Sequence, residues 1–258
     1  MKYFKIILAE IKMNMRNSFS YKTGIVSEIV VILILYIGLI FFESGNSLSY
    51  YYPGIDSSTS LLLVGYIFWS FSSTAVNIVS SNISKEASQG TLEVKYMCIV
   101  PIYILMIGNF ISSIIIELVE VAILILVSVI IFDIPLYISA NTIVALMLTL
   151  IGMYGIGVCF GGVTFKEKQI GKFIYIFQIA LLVFSDVLSV NKALGTLRYF
   201  IPLNLGVDIA RSSISGLSIP YYKWLYLGIS SIGWIVLSFL IFRYFEKKSK
   251  INGVLGHY

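Results

Sequence analysis

Charge is scarce in this chain. Asp, Glu, Lys and Arg make up 12% of its 258 residues, against about a quarter in a soluble globular protein. Hydrophobic residues reach 58% and the mean hydropathy is +0.93, so a water-soluble fold is excluded. Histidine occurs once, as His257, and the two cysteines, Cys98 and Cys159, stand in or beside apolar stretches without metal-ligand spacing. A zinc site, a disulfide framework and histidine-based catalysis therefore lack their residues. No GxxxxGK[ST] run is present, and the nearest fragment, Lys166 to Phe173, lacks both the first glycine and the terminal hydroxyl. The chain cannot hold ATP by a P-loop. No nucleophile and base sit within reach of one another in the apolar runs, so no enzymatic chemistry is expected of this polypeptide.

What is present is apolar sequence in lengths that match a bilayer. About 20 apolar residues cross roughly 30 Å of hydrocarbon. Six segments qualify: Gly24 to Phe42, Leu61 to Val79, Ile102 to Phe132, Ile143 to Phe165, Phe173 to Val190 and Trp224 to Tyr244. The expected fold is an all-α integral membrane protein, a single transmembrane domain over 1–258, with only short polar connections. The basic opening, MKYFKIILAEIKMNMRNSF, has charges interrupting its apolar positions and no small-residue cleavage site after it. It does not read as a signal peptide, and the N-terminus is expected to be kept.

Net charge is +5, but the basic residues gather beside apolar segments rather than in a stripe with stacking aromatics, so the expected partner is membrane lipid and not nucleic acid. Their distribution sets an orientation. Lys2, Lys5, Lys12, Arg16 and Lys22 precede the first span, and Lys85 and Lys95 follow the second. Lys166, Lys168 and Lys172 follow the fourth, and Arg243, Lys247, Lys248 and Lys250 close the last. The loops around Tyr50 and Tyr137 have none. Lys and Arg are retained inside, which places both termini in the cytoplasm and the protein, multi-pass, in the cell membrane. Lys192, Arg198, Arg211 and Lys223 dissent, all in the connection between the fifth and sixth spans.

That connection, 191–222, mixes short apolar runs with Pro202 and Pro220 and is expected to form extracellular re-entrant or interfacial helices. At the other end, Phe4, Ile7, Leu8, Ile11 and Met15 recur at three-to-four spacing within residues 1–22, the pattern of an amphipathic helix on the inner membrane surface. The Tyr50, Tyr51, Tyr52 and Tyr221, Tyr222, Trp224 clusters fit aromatic belts at the outer boundary.

Two acids, Glu117 and Glu120, fall three apart within the third span and so share a helix face. Carboxylates at membrane depth are costly and face protein or water. They are candidates for the translocation path, contacting cationic or hydroxyl-bearing substrate, or are structural acids bonded to Ser, Thr or Tyr of other helices. Gly152, Gly155, Gly157, Gly161 and Gly162 in the fourth span allow close helix packing.

The most informative stretch is 81–100, the cytoplasmic connection after the second span. Read alone, it is a polar hairpin in which Thr91 starts a helical turn and Glu93 favours the helix N-terminus through the backbone dipole. Its residues Glu86, Gly90, Thr91, Leu92 and Glu93, followed by Pro101 and Gly108, resemble the ABC-2 type permease family. Members carry an acidic Gly-Thr-Leu-Glu-containing segment after the second helix, then a proline and a glycine. The six spans, the amphipathic N-terminal helix and the outer excursion before the last span are similar to that family too, and Pro202 through Arg211 to Gly216 matches more loosely. Members often have basic residues around the two glutamates where this chain has Lys85, Ala87 and Val94.

The resemblance implies a permease subunit of an ATP-driven exporter. It would pair with a second permease, identical or homologous, and with two copies of a separate ATPase that binds ATP and Mg, leaving no cofactor in this chain. The 81–100 segment would be a coupling helix seated in the ATPase, with Glu86 and Glu93 as docking carboxylates and Gly90 as the turn or close-approach residue. A lipid-like, drug-like or amphipathic peptide substrate is expected, with a polysaccharide as the other candidate. Two different functions stand beside this one: a non-transporting membrane scaffold or immunity protein, and an ion channel or proton-coupled carrier using Glu117 and Glu120.

Overall fold

The computed structural model describes residues 2–53, 58–135, 138–167, 170–190, 195 and 198–251. Lys168, Lys192, Tyr137 and His257 lie outside the described residues. Within them the chain is helical: α1 (Lys2–Ser20), α2 (Lys22–Phe41), α3 (Leu48–Tyr51), α4 (Ser58–Ser88), α5 (Leu92–Met97), α6 (Ile102–Phe132), α7 (Ala140–Glu167), α8 (Gly171–Phe184), α9 (Pro202–Ile214) and α10 (Tyr221–Ile251).

Five of these, α2, α4, α6, α7 and α10, are long and apolar enough to cross a membrane. α6 takes the bounds expected from its apolar run. α4 runs nine residues past Val79 to Ser88, because nothing before Gly90 breaks a helix; Gly90 itself adopts φ +68°, which a side chain disfavours. The fifth expected span differs. α8 is only 14 residues long, about 21 Å at the helical rise, and stops at Phe184. From Ser185 the backbone leaves the helix, and irregular backbone at such depth requires protein partners for its carbonyls. Arg211 of α9, wholly buried, provides them: its Nε donates to Leu61 O at 2.9 Å, Nη1 to Asp186 O at 2.5 Å and Nη2 to Val187 O at 2.6 Å. One side chain thus ties the start of α4, the extension of α8 and α9 together.

α4 is the central helix, buried along most of its length and packed by α6, α7, α8 and α9. The glycines of α7 let neighbours approach on two sides. A Cβ at Gly155 would stand 2.8 Å from the Trp234 backbone of α10, and one at Gly157 2.8 Å from Val76 O of α4. The aromatic clusters are more than a belt at one place: Tyr52 is buried, and its hydroxyl donates to Asp208 at 2.8 Å, while Lys223 pairs with the same carboxylate at 2.7 Å. α1 packs against α6 rather than standing apart from the bundle, with Glu10 lying over Gly108, where a Cβ would come within 2.9 Å of the Glu10 Cβ.

Candidate functional site

Two features gather the polar residues at the end of the bundle where α5 lies. The first is α5 itself. Gly90 turns the chain out of α4, Thr91 stands at the N-cap of α5, and Pro101 opens α6. Leu92 is buried to 1% exposure and packs among Val79, Ile83, Met106, Phe165 and Phe242, so it plugs the six-residue helix onto the bundle. The opposite side is bare and apolar: Val94, Met97 and Ile99 are 64%, 80% and 96% exposed.

Lys95 braces this helix. Its ammonium is ion-paired with Glu86 on α4 and lies 3.5 Å from Glu10 on α1. Burial works to lower the Lys95 pKa, but hydrogen bonds and charge from Glu86 and Glu10 outweigh it and hold the ammonium above the ordinary lysine value. The two sequence-expected carboxylates therefore differ. Glu86 is turned inward onto Lys95, whereas Glu93 is half-buried on α5 with no ion pair among the described residues. Thr91 and Gly90 are exposed.

The second feature is an open cavity of about 590 Å³ lined by α1, α2, α4 and α6, with Gln178 of α8 in its wall. Both Glu117 and Glu120 line it, each 4% exposed, and Glu28 of α2 joins them. Glu117 is satisfied by hydroxyls: Ser70 donates to one oxygen and Thr74 to the other, the latter at 2.5 Å. Glu120 instead has the Glu28 carboxyl as its neighbour in the cavity wall. Near the α5 end, the Asn14 amide of α1 donates to the Asn109 carbonyl oxygen of α6, closing that side of the cavity. No group of His, Cys, Asp and Glu among the described residues is placed to hold a metal ion.

The family model described as "ABC-2 type transporter" matches residues 2–215. The chain belongs to the ABC-2 type transporter family. This permease is thus the membrane-spanning subunit of an ABC transporter, in a family whose permeases work with an ABC ATPase and are generally not catalytic themselves. The matched segment runs from α1 through α9, and α10 follows it. No curated protein matches the chain.

Reading the sequence of the permease missed Glu10, Glu28 and Arg211 as organising residues. Glu28 carried a signal of the same kind as Glu117, an acid inside an apolar run. Arg211 stood out only as a cation against the charge asymmetry, and Glu10 not at all, since their partners are 150 and 85 residues away in sequence.

Proposed function

We propose that the chain is the permease of an ATP-driven exporter, moving a lipid-like, drug-like or amphipathic peptide substrate out of the cytoplasm or inner leaflet. Two permeases, identical or homologous, form the pathway, and two copies of a separate ATPase carrying ATP and Mg drive it. The observation that carries this reading is α5. It is a short helix, anchored by Leu92 and braced by Lys95, that leaves Val94 and Met97 exposed, with Ile99 exposed in the segment just after it and Glu93 half-buried beside them. An apolar patch beside a carboxylate suits a partner cleft with an apolar floor and a basic rim. Closure of that partner would move α4 and α1 through the Lys95 salt bridges, and α6 through the packing of Leu92 with Met106.

The orientation follows from the same end of the bundle. Lys12, Arg16, Lys22, Lys85, Lys95, Lys172, Arg243, Lys247 and Lys248 belong to that end, which supports reading it as the cytoplasmic face. Of the dissenting cations, the three among the described residues are occupied: Arg198 pairs with Asp186 at 2.6 Å, Lys223 pairs with Asp208, and Arg211 caps carbonyls. They act as structural ties, which removes their weight as topology signals.

The test is reconstitution with the candidate ATPase in proteoliposomes, measuring ATP-dependent flux of a fluorescent amphiphile and substrate-stimulated hydrolysis. Flux that needs ATP supports the reading. Flux without ATP would favour the proton-coupled carrier, and complex formation without stimulated hydrolysis would favour the scaffold.

A further inference from the structure

The acid-lined cavity gathers three carboxyl groups, those of Glu28, Glu117 and Glu120, without a paired cation among the described residues. Lys85, the one basic side chain among the lining residues, lies in the last turn of α4. A carboxylate held at membrane depth without a cation is costly. Glu117 recovers part of that cost from Ser70 and Thr74, while Glu120 lines the same cavity with Glu28 as its acidic neighbour.

The cavity volume falls in the range of sites for small organic molecules, about 300 to 1,000 Å³. A bare metal ion fits poorly, because the acids are not grouped closely enough to share one. The rim differs from the floor. Val31 on α2, 54% exposed, and Ile116 on α6 make an apolar wall beside Glu28, and Trp69 adds an aromatic surface. A cationic head would meet the acids while an apolar tail leaves along that wall toward lipid.

We propose that this cavity is an intraprotomer binding site for an amphiphilic organic cation, an ammonium group on an alkyl or aryl tail, with Glu120 and Glu28 as its anionic contacts. The inference deepens the exporter reading, and rests on it only for the claim that the bound cation is cargo. Ammonium N–H groups donate to the two carboxylates and to the Ser and Asn oxygens of the wall. The neutral alcohol of the same tail forgoes the charge-assisted bonds.

The test uses the full chain in nanodiscs of zwitterionic lipid, without ATPase. The chain has three tryptophans, so the Trp224→Phe, Trp234→Phe background leaves Trp69 as the reporter in the cavity wall. Bromododecylammonium is titrated against bromododecanol, with empty nanodiscs subtracted. Saturable quenching by the ammonium alone is expected, weakened by about tenfold or more in Glu28→Gln, Glu120→Gln and retained in Glu120→Asp. Glu28→Gln alone, at an exposed position, gives a smaller weakening in the same direction and carries the test if the double variant does not fold. Matching curves for amine and alcohol, or unchanged ammonium affinity in the carboxylate variants, would overturn the assignment. Since the assay contains no ATPase, failure here leaves the exporter reading standing, and failure of ATPase pairing leaves this site standing.

Discussion

The Lys95 ammonium lies 3.5 Å from the Glu10 carboxylate and joins α5 to α1 across 85 residues of sequence. With Glu86 also paired to the ammonium, one lysine connects α5 to both α1 and α4. Lys95→Met should leave two carboxylates facing an apolar side chain. Because the pair is partly exposed, screening limits the loss to about 1 kcal/mol, read as a small fall in Tm of the purified protein. The pKa of Lys95 is raised above its ordinary value of 10.5 on folding. Its contribution is therefore fully present below that pH and is lost as pH rises through the higher folded value. The Tm gap between wild type and Lys95→Met should stay constant from neutral pH to about 10 and close only above it. A gap that closes between pH 7 and 9 would contradict the pairing.

Arg211 makes a larger contribution. Arg211→Met would remove three charge-assisted donors at once from the Leu61, Asp186 and Val187 carbonyls in a dry site, at about 1.5 to 3 kcal/mol for each bond lost. The expected result is loss of the folded protein from detergent extracts. Arg211→Lys should rescue little, since one ammonium cannot reproduce the planar fork. Gly65→Ala should resemble it, because a Cβ there would overlap the guanidinium. Wild-type thermal stability in Arg211→Lys would show that the fork geometry is unimportant.

The glycines divide into packed and open positions. Gly155→Ala and Gly157→Ala set a methyl against backbone atoms of α10 and α4, which cannot yield as a side chain can. Each should cost about 1 to 3 kcal/mol. Gly228→Ala and Gly233→Ala on α10 meet no atom within 4 Å and should hold or slightly raise stability, because alanine favours the helix. Thermal unfolding of the four variants side by side would check the division, and equal behaviour would argue against the α7 packing.

Apolar run length made most of the architecture legible. α6 could be bounded because Pro101 precedes it and Asp133, at φ +50°, ends it. The end of α4 was hidden, since its polar turns from Ser80 to Ser88 look like a loop by hydropathy while remaining good helix. The early stop of α8 was hidden for a different reason. Hydropathy continues through Val187 and Leu188, and only the remote Arg211 makes a non-helical backbone affordable there. At the candidate site, spacing placed Glu117 and Glu120 on one face, but it could not show that hydroxyls from α4 satisfy the first and leave the second to Glu28. Likewise Glu86 and Glu93 read as equivalent carboxylates until Lys95 folds back onto one of them.

The account turns on α5 as the docking element, and copurification of the ATPase with permease variants at graded salt tests this most directly. Glu93→Ala should weaken association by roughly tenfold to a hundredfold, the loss of one charge-assisted contact of about 1.5 to 3 kcal/mol. Met97→Ser with Ile99→Ser should weaken it by a salt-independent amount, because that loss is apolar. Glu86→Ala should act mainly by freeing Lys95, with the smaller effect. Full ATPase recovery with the combined Glu93→Ala, Met97→Ser, Ile99→Ser variant, correctly inserted and folded, would contradict the assignment of α5.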